Sequence, residues 1–318
     1  MDEIELINKY FQKLSKNNPS SLNLNDDVFF DKKNKLVVSI DTYNEGIHFP
    51  NFKHPSLVVK KIIRSSISDL ICKGVKPKYY FISGSGNKQK FTKKNLKLIS
   101  KSLYNEQKKF NLKLSGGDTT NSYNVSFSIV IIGFAKNIVE RNKAKLNDDI
   151  YVTGNIGDSF LGLKFINSNE KINSKIKNYF INKFYCPILP YKIYNQIYKF
   201  ANTSMDISDG LISDMMKLIN KQKLSFQVDI DKIPISNKLD KYLKKYKKTK
   251  DQFLFNGDDY QILFTASKNK RKLIKSIGKK MSQKFTIIGK INNNKKNLIK
   301  KDNKPLILSK FKGYSHKF

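Results

Sequence analysis

Acidic side chains are scarce in this 318-residue chain: 26 Asp and Glu stand against 61 Lys and Arg, a formal net charge of +35. A surface so basic invites a nucleic-acid reading, and a second scarcity argues against it. Arginine occurs only at Arg64, Arg141 and Arg271, which leaves 58 lysines among the 61 basic residues. Interfaces that read phosphates or bases favour the bidentate guanidinium fork. The lysines are spread along the whole chain instead of clustered, so the charge reads as a solvated surface. Cysteine is limited to Cys72 and Cys186, too few for a disulfide framework. Histidine is limited to His48, His54 and His316, with no zinc-ligand spacing. No apolar run approaches the roughly 20 residues of a membrane span; the best is "FSIVIIGFA", Phe127 to Ala135. The opening "MDEIELINKYFQKLSKNN" is acidic, then amphipathic, with no signal-peptide core, so the expected location is the cytoplasm. There is no G-x-x-x-x-G-K-[ST] and no G-x-G-x-x-G opening a helix; "SGSGNKQK" lacks the spacing. Little supports a serine triad.

The chain is long enough for two domains, and its apolar residues fall in periodic segments that alternate strand and helix. "KLVVSID", "KYYFISG", "LKLSGG" and "NVSFSIVIIGFA" read as strands, with helices at "PSLVVKKIIRSSISDLICKG" and "KKNLKLISKSLYNEQKKF". Around "KNIVERNKAKLNDD" the pattern turns polar, and the spacing predicts a connection. The second half opens with "IYVTGNIGDSFLGLKFI", a strand turning through glycines into a helix. It continues with helices over about 172–202, a strand into "SMDISDGLISDM", strands near "SFQVDI", "QILFTAS" and "FTIIG", and a helix near 268–282. The expected fold class is α/β (α+β), with an N-terminal domain over 1–137 and a C-terminal domain over 138–318.

The few acids are gathered. "NDDVFF" (Asp26, Asp27), "SIDTYNEGIHF" (Asp41, His48), "SSISDL" (Asp69), "SGGDTTNS" (Asp118) and "SMDISDGLISD" (Asp206, Asp209) read as apolar strands ending in aspartate; "NGDDYQILF" (Asp258, Asp259) has its acids before the strand. Open α/β sheets build sites at strand ends. Carboxylates brought together repel unless cations intervene, and hard ions such as Mg²⁺ commonly bridge carboxylates to substrate phosphates. Taken singly, each motif has a plainer account. Ser208 or Asp209 would cap the helix "GLISDMMKLI"; Asp214 would lie on that helix's solvated face; Asp26 and Asp27 would be turn residues; "GGD" would be a tight turn. Recurrence of the layout in both halves of an acid-poor chain favours a metal–phosphate site, with backbone amides at glycines such as Gly116 and Gly117 helping to hold phosphate.

In order along nearly the whole chain, "NDDVFF", "SIDTYNEGIHF", "SISDLICKGVKPKYYF", "LSGGDTTNS", "IYVTGNIGDSFLGL", "SMDISDGLISD", "NGDDYQILFT" and "FKGYSHKF" resemble the thiamine-monophosphate kinases. That family belongs to the PurM-like superfamily, with aminoimidazole ribonucleotide synthetase, selenophosphate synthetase and a hydrogenase-maturation protein. The resemblance implies ATP-dependent phosphorylation of thiamine monophosphate to thiamine diphosphate with several Mg²⁺ ions, and a homodimer built through N-terminal domains with the nucleotide site near the dimer interface. It implies magnesium ligands at Asp27, Ser39, Asp41, Asp69, Asp118, Asp206 and Asp209. ATP contacts fall at Gly117, Asp118, Arg141 and Ser208, and substrate contacts at His48, Asp258 and Tyr314. Four departures stand out: Asn25 where a glycine is usual, Ile40 in place of a threonine, Asp258 in place of a glutamate with Asn256 in place of a glycine, and "SGSGNKQK" in place of a more apolar loop.

A phosphate acceptor is already mostly dianionic at neutral pH, so no general base or nucleophile is expected, and transfer is expected to be direct and in line. In that scheme Asp41, Asp69 and Asp118 hold ions on the ATP phosphates, and Asp27 and Asp206 hold ions shared with the acceptor. The rival readings are another PurM-like ATP enzyme of the selenophosphate or aminoimidazole ribonucleotide synthetase type, against which the two endings "NGDDYQILFT" and "FKGYSHKF" count, and a noncatalytic lysine-rich nucleic-acid binder, which leaves the acid clusters unexplained.

Overall fold

The computed structural model describes residues 1–168, 170, 172–306 and 313–314. A short helix α1 (Glu3–Leu6) and irregular turns lead into a sheet of five strands: β1 (Phe29–Asp31), β2 (Leu36–Asn44), β3 (Pro77–Ser85), β4 (Lys113–Thr120) and β5 (Ser126–Phe134). Their order is β1-β2-β5-β3-β4, antiparallel except for the parallel pair β3/β4. That parallel pair needs a crossover, and α3 (Lys93–Phe110) supplies it. α2 (Pro55–Cys72) links β2 to β3 and carries most of the inner packing. Pro55 opens α2 where a missing N–H costs nothing, and Gly74, at φ +83°, ends it with a left-handed turn. Its Ile62, Ile67 and Leu70 are fully buried, each worth roughly 1.5–3 kcal/mol against exposure.

On β5 the side chains alternate, with Phe127, Ile129 and Ile131 buried toward the helices and Ser128, Val130 and Ile132 on the opposite face. Among the described residues that opposite face carries no helix. Ile40 (68% exposed), Val130 and Phe81 (37%) form a lateral row across β2, β5 and β3 there. Every residue of β4, the sheet's free edge, is exposed.

After a stretch without helix or strand, the second sheet comprises β6 (Asp149–Thr153), β7 (Thr203–Asp206), β8 (Ser225–Asp229), β9 (Ile262–Ala266), β10 (Phe285–Asn292), β11 (Leu298–Lys301) and β12 (Lys304–Leu306), in the order β12-β11-β8-β10-β6-β9-β7. Around it lie α4 (Asp158–Asn167), α5 (Ser174–Tyr185), α6 (Leu211–Leu218), α7 (Asn237–Lys245), α8 (Asp251–Leu254) and α9 (Arg271–Met281). β6, β7 and β9 are buried on both faces; β9 is almost wholly apolar, while β6 and β7 carry the buried polar residues Asp149, Thr153, Thr203, Ser204 and Asp206. One apolar cluster runs from Val28 through α2 and β5 to Tyr151, Phe264 and Ile277, so the two sheets share a core. A second cluster, around Ile150, Met205, Leu211 and Phe226, fills the far side of the second sheet. Among the described residues no helix is long and apolar enough to cross a membrane.

The mixed helix–sheet architecture agrees with the sequence reading, with local differences. Of the helices expected over about 172–202, α5 forms and stops at Tyr185, and short 3₁₀ turns follow at Tyr191–Asn195 and Ile197–Lys199. Pro187 and Pro190 interrupt the run, because proline cannot continue the hydrogen-bond ladder. α7 has no counterpart in the sequence reading; Ser236 caps it by accepting from Leu239 N at 3.0 Å.

Candidate active site

α2 presents a polar stripe, Lys61, Ser65, Ser68, Asp69 and Lys73, along the seam between the two sheets. Steps of three and four residues put these on one helix face. Opposite lie Ser39, Asp41 and Tyr43 of β2, on the inner face of that strand because alternate residues point the same way, while Ile40 points outward. From the second sheet come Ser204 and Asp206 at the end of β7, and the loops after β7 and before β9. Asp69 therefore rides a helix and Asp26 and Asp27 precede a strand, so the expected layout of strands ending in aspartate holds for Asp206 and not for all the acids.

Asp41, Asp69 and Asp206 are electrostatic neighbours. Burial, joined by the charges of Asp41 and Asp206, pushes the Asp69 carboxyl well above its usual range. Burial raises Asp41 as well, although Tyr43 Oη donates to its Oδ2 at 3.1 Å. Burial lifts Asp206 to about 6 even though Ser68 Oγ donates to its Oδ2 at 2.5 Å. The hydroxyl of Ser39, 3% exposed, faces Asp69 and tempers its shift, yet makes no hydrogen bond of normal geometry among the described residues. Three carboxyls whose ionisation is opposed by burial and by one another, with a loosely held hydroxyl among them, form a donor set suited to a hard cation. Among the described residues no three His, Cys, Asp or Glu side chains stand close enough together to hold one metal ion.

The remaining acids are engaged elsewhere. Asp27 is paired with Arg141, and its Oδ2 lies 2.7 Å from Lys73 Nζ. Asp26 Oδ1 lies 2.7 Å from the same ammonium, and its Oδ2 accepts from Arg141 N at 2.8 Å. Asn25 adopts an ordinary backbone conformation (φ −125°, ψ 27°) that needs no glycine, and its side-chain amide exchanges hydrogen bonds with that of Asn220 at 2.9 and 3.1 Å. Asp209 is paired with Lys217. Asp118 and Gly117 lie on the exposed β4 edge; Asp118 Oδ1 accepts from Thr119 N, and among the described residues it has no hydrogen bond or ion pair to the Asp41–Asp69–Asp206 group. Asp118 lines a groove of about 160 Å³ with Ser83, Ser85, Thr120, Ser126 and Ser128. Gly117 is required sterically, since a Cβ there would lie 1.9 Å from the carbonyl oxygen of Ile82.

His48 Nδ1 accepts from Asn44 N at 2.9 Å, and its ring meets Tyr43 edge-on at 5.6 Å, so it reaches the carboxyl group through Tyr43. Asp258, at φ +69°, pairs with the buried Lys61 at 2.7 Å and accepts from Tyr260 Oη at 3.0 Å. Burial pulls Lys61 below its ordinary value, and Asp258 opposes that. Tyr314 N donates to Asp209 O at 2.9 Å. Burial raises the Tyr314 phenol, and the charges of Asp209 and Asp258 add to the rise. His316 lies outside the described residues.

The loop in "SMDISDGLISDM" corrects two expectations. Neither Ser208 nor Asp209 caps α6; Gly210 precedes it without a side-chain cap. Asp214 is fully buried, not solvated, and its Oδ2 accepts from the backbone amides of Ser208, Asp209 and Gly210 at 3.0, 3.0 and 3.1 Å. The spacing Leu211, Asp214, Met215, Leu218 puts it on the apolar face. Burial, then the charge of Asp209, raises its carboxyl to about 8. Asp214→Ala is expected to cost about 3 kcal/mol or more by stranding those amides, whereas Asp214→Asn stays within about 1 kcal/mol. Chemical denaturation of both variants at pH 7 measures the difference.

Lys61 and Lys73 escaped the sequence reading because lysine is everywhere; their signal was the four-residue spacing to Ser65 and Asp69.

A family described as "AIR synthase related protein, N-terminal domain" matches residues 25–135. The thiamine-monophosphate kinase of Buchnera aphidicola subsp. Schizaphis graminum is 34% identical over 328 residues, covering 99% of this chain and 98% of its own length. The solved complex "AaThiL complexed with AMPPCP and TMP" superposes with a TM-score of 0.85 at 27% identity, covering 99% of this chain and 97% of that one. A thiamine monophosphate kinase from Aquifex aeolicus superposes with a TM-score of 0.80 at 27% identity, over 96% and 99%.

Proposed function

The chain belongs to the thiamine-monophosphate kinase family, and on that premise we propose that it transfers the γ-phosphoryl group of ATP directly onto the phosphate of thiamine monophosphate, giving thiamine diphosphate. The observation that carries this reading is the Asp41–Asp69–Asp206 group beside the Ser39 hydroxyl, a concentration of carboxyls that burial and mutual repulsion disfavour in the absence of cations. These four residues would hold Mg²⁺, with Asp27, Asp118 and Asp209 as further ligands. When bound, the ions neutralise charge on the phosphate oxygens.

The acceptor phosphate is its own nucleophile, mostly dianionic near neutral pH, so the chain's task is to place two anionic groups in line. Gly117, Asp118, Arg141 and Ser208 would contact ATP; His48, Asp258 and Tyr314 would contact thiamine monophosphate. Asp258 is supported in that role by its anchoring to Lys61 and Tyr260, which fixes one carboxyl oxygen and leaves the other. Tyr314 is 47% exposed, and an aromatic face suits a cationic thiazolium. We divide the chain between residues 137 and 138, in the stretch without helix or strand that separates the sheets.

A second copy would cover the first sheet. The Ile40–Val130–Phe81 row and the wholly exposed β4 edge favour a homodimer through that face. Ile40→Asp is expected to yield monomers by sedimentation at micromolar concentration, since a two-fold interface would bury the new charge twice. An unchanged dimer would exclude this face.

The reaction itself is tested by incubating the purified chain with ATP and thiamine monophosphate, with and without MgCl₂, and separating the products. Thiamine diphosphate formed only with Mg²⁺ is expected; ATP consumption directed at another acceptor, with no thiamine diphosphate, would overturn the assignment.

A further inference from the structure

Lys73 has no part in the phosphoryl transfer described above, yet it sits in the site fully enclosed. It closes α2, is 0% exposed, and its Nζ stands 2.7 Å from each of three oxygens: Asp26 Oδ1, Asp27 Oδ2 and Ser204 O. An ammonium has three N–H groups and no acceptor; one donates to Ser204 O, and the two carboxylate contacts are ion pairs, with Asp27 Oδ2 accepting no hydrogen bond of normal geometry among the described residues. The end of a helix also favours a cation through the helix dipole. Asp26 and Asp27 are adjacent acids in a buried corner, their side chains 4% and 8% exposed. Oxygen ligands on two carboxylates and a backbone carbonyl are also what a hard divalent ion would take. Here a covalently attached cation already occupies the corner, and the loop has two further ties that involve no metal, Arg141 on Asp27 and Asn220 on Asn25.

We propose that Lys73 is a positioning residue: a built-in monovalent cation that sets Asp26 and Asp27 before any divalent ion arrives. The proposal rests on the reading of Asp27 as part of the phosphoryl-transfer site. Its chemistry is simple. Without the ammonium, the two carboxylates repel and draw in a divalent ion, so the order of the loop becomes dependent on Mg²⁺.

Thermal unfolding of the full chain, without nucleotide or thiamine monophosphate, tests this. Wild type, Lys73→Met and Lys73→Met/Asp26→Asn are compared in EDTA and across a MgCl₂ titration, with NaCl at matched ionic strength as the control. Lys73→Met is expected to have a lowered Tm in EDTA and a Tm gain with MgCl₂ about twofold larger than that of wild type. Adding Asp26→Asn should restore stability in EDTA and remove the extra gain. Equal MgCl₂ gains in wild type and Lys73→Met would overturn the proposal, because a purely packing role predicts a metal-independent loss. If Lys73→Met alone fails to fold, a double variant that folds without metal supports the proposal, and one that does not overturns it. Since no substrate is present, the expected melting pattern in a chain that makes no thiamine diphosphate would sink the proposed reaction and leave the role of Lys73 standing.

Discussion

Asp69→Asn is expected to leave a folded protein whose turnover of thiamine monophosphate falls at least about 100-fold, a loss of about 3 kcal/mol of transition-state stabilisation, as for removal of one key electrostatic group. The same change should make the metal-free protein more stable. Asp69 is raised by burial and by the charges of Asp41 and Asp206, so its ionised form works against folding, and an amide of the same shape removes that opposition. The pH dependence has a defined sign. A carboxyl raised in the folded state contributes stability that is complete below its unfolded pKa and is lost as pH climbs through the folded one. Asp206, raised from 3.8 to about 6, places that loss in metal-free wild type between about pH 4 and 6, on the order of 3 kcal/mol. Melts in EDTA over that range should show the decline in wild type and a shallower one in Asp69→Asn, because the variant no longer carries the raised Asp69 carboxyl, which itself takes up a proton on folding. Near-normal turnover by the variant at saturating Mg²⁺ would remove Asp69 from the ligand set.

Asp258→Ala is expected to be the most damaging single change to stability near the site, about 3–5 kcal/mol. Lys61 is 1% exposed, and among the described residues Asp258 is its one ion-pair partner; its ammonium also lies over the Phe184 ring, 3.5 Å from Nζ to the centroid. Removing the carboxylate leaves a desolvated ammonium facing an aromatic face. Lys61→Met/Asp258→Leu should recover most of the loss, since replacing both members of a buried pair by apolar groups is often neutral or better. A denaturant-unfolding cycle of the two single variants and the double variant gives the coupling directly. Coupling near zero would mean that the pair is not what holds this part of the seam. KM for thiamine monophosphate should rise in Asp258→Ala and stay raised in the double variant, which separates substrate contact from stability.

The sequence made the strands and α2 legible because their apolar residues keep strict periods, and it pointed to Asp41, Asp69 and Asp206 because carboxylates are rare enough here to be conspicuous. What it hid follows from the same composition. Lys61 and Lys73 were lost among the lysines, although each is a four-residue multiple away from Asp69. The partners of Arg141 and Asp209 are set by how loops fold back, and no local pattern announces that Asp27 or Lys217 will meet them. Asp214 was misplaced because an aspartate in a helix suggests solvent, and the amides it caps become visible only when the loop before α6 is seen to curl back over it. Asn25 looked like a flaw in a turn and is instead one half of an amide clasp.

The apolar cluster that runs unbroken from Val28 to Ile277 sets how the molecule breathes. Prising the sheets apart like a clam would bring Tyr151, Phe264 and the inner face of α2 into water together, a cost approaching that of unfolding. The whole chain should melt in a single calorimetric step.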